Sequence, residues 1–220
     1  MNVAVGCGMQ TAVKQAVKAI RNAEVLDDPW PHLIVNDLFP NSFYLLMVNK
    51  LPPTSAWKAF NQFRSFYWLE YSEGDRPNGI HTRPPVDGFW DEFREALFDS
   101  LWMELENRLD VVGTSIGAQL MHDRPGYQIG PHTDTSNKLV TGLLYLPKTG
   151  SDAKQGTVLC KGRVPDPSGK GHKPGPDYAP VKTVPYVPNS ALFFMRTDVS
   201  YHCVKPSPVE RWLLAFDVFR

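Results

Sequence analysis

The sequence predicts an α+β chain in which helices from the first half buttress a double-stranded β-helix, or jelly roll, built by the second half. Three observations predict it. Residues 1–111 carry apolar side chains at helical spacing; residues 112–220 break into short apolar runs separated by Pro, Gly, Asn and Asp; and 220 residues suit one core with additions better than two. A single domain over 1–220 is therefore expected, with 1–111 as mainly helical support and 112–220 as the jelly-roll core.

The elements follow in order. Val13, Ala16, Val17 and Ile20 fall at i, i+3, i+4 and i+7 and make one apolar helix face, with Lys14, Lys18 and Arg21 on the solvated side. Thr54 or Ser55 can cap a second helix that carries Trp57, Phe60 and Phe63 inward. A third helix spans about Asp87 to Leu109, with Trp90, Phe93, Leu97, Leu101 and Leu105 spaced for burial. Beyond Val111 the spacing predicts eight short strands, at 114–122, 127–133, 138–146, 155–160, 181–186, 190–196, 200–204 and 211–218. Residues 161–180, rich in Pro, Gly and Lys, are too long for a tight hairpin and predict a mobile surface loop, placed to serve as a lid. Its basic surplus reads as a solvated face.

Hydrophobic content of 42% supplies a well-buried core, and 23 basic against 23 acidic residues leave no global attraction to nucleic acid or an anionic membrane. Cys7, Cys160 and Cys203 are odd in number and far apart, which excludes a disulfide framework or a C-x-x-C zinc site and predicts a reducing setting. Residues 1–24 lack the pattern of a signal peptide, and no run approaches ~18 apolar residues. A soluble, cytoplasmic protein is expected; oligomeric state is left open.

The segment GPHTD places His132 and Asp134 two apart, and on a strand i and i+2 project from one face, so an imidazole and a carboxylate can meet one metal ion. Alone the pair is weak, because six His and the Asp content give roughly 0.4 chance matches. The second half of the signal is His202, about seventy residues on at the edge of another strand. Two imidazoles and one carboxylate on one side of a metal leave positions open for a bidentate ligand and dioxygen, which suits non-heme iron(II). Nine residues after His202, Arg211 opens the apolar strand RWLLAFDVF; a guanidinium heading into a core needs a partner, and its fork matches a carboxylate.

With these pieces in order, residues 112–220 resemble the iron(II)/2-oxoglutarate-dependent dioxygenases, in particular their prolyl-hydroxylase-like branch. The resemblance rests on HTD at 132–134, KLVTGLLYLP at 138–147, QGT at 155–157, ALFFMRTDVSYHCVKP at 191–206 and Arg211. It implies that His132, Asp134 and His202 bind Fe(II), that Arg211 binds 2-oxoglutarate and that Tyr145 assists. Where the family has a Tyr about ten residues before the first iron ligand, this chain has His122, with Tyr127 nearer; either is a candidate contact to the co-substrate. The family's Gly-Gly before the Thr is reduced to Gln155-Gly156-Thr157. The implied activity consumes 2-oxoglutarate and O2 and hydroxylates a C–H bond of a peptide or small-molecule substrate, with release of succinate and CO2. The competing reading is a cupin-like metal-binding jelly roll without 2-oxoglutarate; such sites add a further His or Glu, and none stands near residue 132.

Overall fold

The computed structural model describes residues 3–69, 88–148, 152–171 and 178–220. The expected helix start at Asp87 and residues 172–177 of the expected surface loop lie outside them. Helix α1 spans Val3–Asn22, strand β1 His32–Val35, helix α2 Asn41–Asn49, strands β2 and β3 Lys58–Ala59 and Arg64–Trp68, and helix α3 Phe89–Leu109. Then follow β4 (Ser115–Asp123), β5 (Ile129–His132), β6 (Lys138–Tyr145), β7 (Val158–Gly162), β8 (Tyr178–Thr183), β9 (Ala191–Met195), β10 (His202–Val204) and β11 (Arg211–Phe219). The eight strands expected after Val111 are all present, with β8 beginning three residues earlier than its expected start.

The strands form two antiparallel sheets. One has the order β1-β9-β6-β11-β4-β3-β2 and the other β5-β10-β7-β8. The central strand β11 pairs with β4 on one side and β6 on the other. Its alternation divides the core: Trp212, Leu214, Phe216 and Val218 join a cluster with α1 and α3, while Leu213 and Ala215 pack with Tyr145, Leu159 and Phe194 between the sheets. Both faces of β11 are thus covered, which is why its sequence runs apolar without alternation.

The helices do as their spacing requires. Val13, Ala16 and Ile20 on α1 and Trp90, Phe93, Leu97, Leu101 and Leu105 on α3 are all buried. Arg21, expected on a solvated face, reaches α3 and donates to Glu104 at 2.7 Å.

The second helix is a correction. Thr54–Ala56 is a single 3-10 turn, and the chain then enters β2 and β3. Phe60 is 69% exposed and Phe63 36% exposed; only Trp57 turns inward, against Trp212. The i, i+3, i+6 aromatic spacing imitated a helix, but pairing of β3 with β4 satisfies the backbone instead. The first half is accordingly less helical than expected, since β1, β2 and β3 extend the larger sheet at both ends.

Cys160 and Cys203 are free thiols in a small apolar cluster with Val158 and Tyr201, which agrees with a packing role for Cys203. Among the described residues no helix is long and apolar enough to cross a membrane.

Candidate active site

A cavity of ≈ 160 Å³ opens between the two sheets. The smaller sheet gives it Ile129, His132, His202 and Val204, and the larger sheet gives Arg64, Phe66, Gln119, Met121, Lys138, Thr141, Leu143, Arg211, Leu213, Ala215 and Asp217; Asp134 and Thr157 complete the lining.

His132 ends β5 and His202 begins β10, and the two are direct partners across that ladder, with ring centroids 4.3 Å apart. Asp134 stands two residues past His132, in the turn leading to β6. One ligand atom from each of the three lies within 4.8 Å of the others, so the three can hold one metal ion. The chain also fixes the donor atoms. Nδ1 of His132 is 2.9 Å from the Gly130 carbonyl, and Nδ1 of His202 is 3.1 Å from the Ser200 carbonyl. A carbonyl only accepts, so each Nδ1 carries the proton and each Nε2 keeps its lone pair for a metal.

The Asp134 carboxylate is equally constrained. Its Oδ2 accepts from the Thr141 hydroxyl at 2.6 Å, and Lys138 Nζ lies 3.7 Å from Oδ1 and 2.9 Å from Asp217. Burial alone would raise this carboxyl, but Lys138, the His202 ring and the Thr141 hydroxyl together hold it well below the usual carboxylate range. Asp134 therefore stays anionic across ordinary pH. Burial opposes the charge of Lys138 too, yet Asp134 and Asp217 outweigh it and push the ammonium up to about 12. Asp217 is raised, chiefly by burial.

Arg211 lies deep in the cavity, 1% exposed, above the Tyr186 ring. Its Nη1 donates to Asp123 at 3.3 Å, while its Nε has no hydrogen-bond partner among the described residues. A desolvated guanidinium in the lining of a cavity, with one donor unmet, is suited to an anion. Asp123 is shared: Arg64, from β3, donates to it from Nε at 2.5 Å and Nη2 at 2.8 Å. Neither Arg64 nor Asp123 was found by sequence reasoning, because only the register of β3, β4 and β11 aligns Arg64, Asp123 and Arg211 in one row. Lys138, Thr141 and Asp217 were likewise missed as site residues.

Three candidates behave differently from expectation. Tyr145 is fully buried behind the cavity wall, where its hydroxyl donates to Thr157 Oγ1 at 2.9 Å and accepts from Thr157 N at 3.2 Å. Thr157, not Tyr145, faces the cavity, so the QGT segment supplies a lining residue after all. His122 does not line the cavity. Strand alternation sends Met121 toward it and His122 to the opposite face, where the ring stacks on Trp212 at 3.7 Å and meets Glu210 at 3.5 Å. Tyr127 is buried beneath the Arg64 guanidinium, at 3.9 Å, and does not line the cavity either.

No family model and no curated protein matches the chain. Solved structures do. A prolyl-4-hydroxylase from Pseudomonas putida superposes with a TM-score of 0.56 at 13% identity, over 94% of this chain and 98% of its own. A prolyl hydroxylase from Trichoplax adhaerens, solved with a peptide fragment of the hypoxia inducible factor oxygen degradation domain, gives 0.55 at 17% identity over 94% and 88%. The alpha ketoglutarate dependent epimerase SnoN of nogalamycin biosynthesis gives 0.55 at 11% identity over 94% and 82%. The chain therefore has the fold that these two hydroxylases and this epimerase share, and the activity has to be argued from the site.

Proposed function

We propose that residues 1–220 act as one oxygenase domain that uses Fe(II), 2-oxoglutarate and O2 to hydroxylate a C–H bond of a peptidyl or amino-acid side chain such as proline. The two sheets are read as a double-stranded β-helix, because the strands from β4 onward switch sheets at every step except the β7–β8 pair, which leaves β9-β6-β11-β4 facing β5-β10-β7-β8 as eight strands wound as one roll. The observation that carries the functional reading is the buried Arg211, with its unmet Nε, in the same cavity as a His-Asp-His cluster. That combination favours a metal with an anionic co-substrate over a cupin-like site that binds metal alone.

On this reading His132 and His202 present Nε2, and Asp134 a carboxylate oxygen, to one side of the metal. Arg211 receives the distal carboxylate of 2-oxoglutarate, with Thr157 beside it and Tyr145 holding Thr157 in place. When bound, iron and 2-oxoglutarate supply the oxidation, which yields succinate, CO2 and a hydroxylated product. The chain's own part is electrostatic and positional. Arg64, Lys138 and Arg211 face Asp123, Asp134 and Asp217, so the site is close to neutral before a divalent metal and a dicarboxylate arrive with opposite charges. Phe66, Met121, Leu143, Leu213 and Ala215 keep the cavity wall dry. Free thiols at Cys160 and Cys203 fit a cytoplasmic setting.

The test is release of labelled CO2 from 1-carbon-labelled 2-oxoglutarate by protein reconstituted with iron(II), since such turnover runs slowly without a substrate. The expected result is iron-dependent release that is abolished in His202→Ala. Release no greater than from free iron would reject the activity.

A further inference from the structure

Asp134 differs from the two histidines in lying outside any strand. Its side chain is oriented by Thr141, but its main chain needs a separate anchor, and the anchor is Arg196, the residue after β9. This guanidinium is 8% exposed. Its Nε donates to the Asp134 carbonyl at 3.1 Å, its Nη2 donates to the carbonyls of Asp166 and Pro167 at 3.0 and 2.8 Å, and its Nη1 pairs with Asp198. A second link runs from the Thr133 hydroxyl to the Asp166 carbonyl at 3.2 Å. Gly169, at φ 61, lies so close to the Asp134 carbonyl that any Cβ would collide with it. The near half of the β7–β8 connection, expected to be a mobile lid, is thus docked on the turn that carries the metal ligand.

We propose that Arg196 is a positioning residue for Asp134, and that it couples metal binding to the docking of residues 163–171. The inference rests on the reading of His132, Asp134 and His202 as a metal site. Three of its donors go to main-chain carbonyls at the junction, so removing the guanidinium strands buried acceptors on both sides and frees the Asp134 turn from the connection. Coupling between two binding events is reciprocal: if docking tightens the metal site by some factor, metal must favour docking by the same factor.

The experiment uses Mn(II) as a redox-inert metal on the full chain. Calorimetric titration gives its affinity, and trypsin cleavage after Arg163 and Lys170 reads the docking. In wild type, Mn(II) is expected to slow cleavage at both positions. Arg196→Ala should weaken Mn(II) about 10–100-fold, the range typical of residues supporting a metal ligand, and abolish the protection, with Arg196→Lys recovering part of both. Gly169→Ala disrupts the same junction from the loop side and serves if Arg196→Ala folds poorly. Tyr201→Phe is the control: it removes the hydroxyl that holds Val164 O at 2.7 Å, loosening the outer connection without touching Asp134. Unchanged Mn(II) affinity in Arg196→Ala and Gly169→Ala, or an equal loss in Tyr201→Phe, overturns the positioning role while the metal site stands. Failure of wild type to bind Mn(II) overturns the metal site and the inference with it.

Discussion

The carboxylate of Asp123 holds the guanidiniums of two residues that line the cavity, and its replacement by Asn is a demanding test of the site's electrostatics. Asp123 is fully buried and accepts from Arg64 twice and from Arg211 once. Asn keeps the shape, loses the charge and turns an N–H donor toward a guanidinium donor. The Arg64 side chain, 14% exposed, can relax toward water, whereas that of Arg211, at 1%, cannot. The dominant cost is therefore one desolvated cation left without its counter-charge, about 3–5 kcal/mol. For a chain of this length ~1 kcal/mol corresponds to about 2–4 °C, so the melting temperature should fall by roughly 6–20 °C. Circular dichroism melts of the apo-protein give the number. Arg64→Gln should cost less alone, and the double variant less than the sum of the two, because both changes break the same cluster. A shift within about 2 °C for Asp123→Asn, or strict additivity in the double variant, would refute the row of two arginines on one buried carboxylate.

Three further outcomes follow from the same structure. Thr141→Val removes the 2.6 Å bond to Asp134 without changing shape and should weaken Mn(II) binding about tenfold with little loss of stability, read by titration and melting in parallel. Leu101→Ala, in the middle of α3, opens a cavity in the helix-facing core and should cost about 2–5 kcal/mol in denaturant unfolding. Burial lowers the pKa of His32, whose Nδ1 meets the Trp30 carbonyl at 2.8 Å and whose Nε2 has no hydrogen-bond partner among the described residues. The unfolded chain then takes up a proton near pH ~6.5 that the folded chain resists, so stability must fall as pH drops through that range. Melting temperatures between about pH 8 and 5.5 should decline, and less steeply in His32→Gln; equal slopes would exclude His32 as the cause.

The candidate metal ligands were legible because two of them sit in one short segment and because His202 and Arg211 share a nine-residue spacing. Each of those signals is local. The rest of the site is made by register, which a single sequence does not reveal: Arg64 and Asp123 are 59 residues apart and meet only because β3 and β4 pair. His122 illustrates how sharply register matters, since one position along β4 separates a residue that faces the cavity from one that stacks on Trp212 on the other side. Thr157 was passed over because the motif around it is reduced, although the residue lines the cavity. In the first half, Trp57, Phe60 and Phe63 mimicked a helical period, whereas the alternation of Arg64, Phe66 and Trp68 against buried Ser65 and Tyr67 was the true signal of a strand. The segment 161–180 read as mobile from its Pro and Gly content, yet Gly169 is there to let the chain lie against Asp134.

The central claim is that one cavity holds Fe(II) on His132, Asp134 and His202 and 2-oxoglutarate on Arg211. An anaerobic titration of the apo-protein with both tests it directly, through the visible metal-to-ligand charge-transfer band and without knowledge of the substrate. The band is expected only when both are present, to vanish in His132→Ala, and to need far more 2-oxoglutarate in Arg211→Ala. Metal binding without the band would contradict the co-substrate assignment, and the absence of any metal binding would contradict the site as a whole.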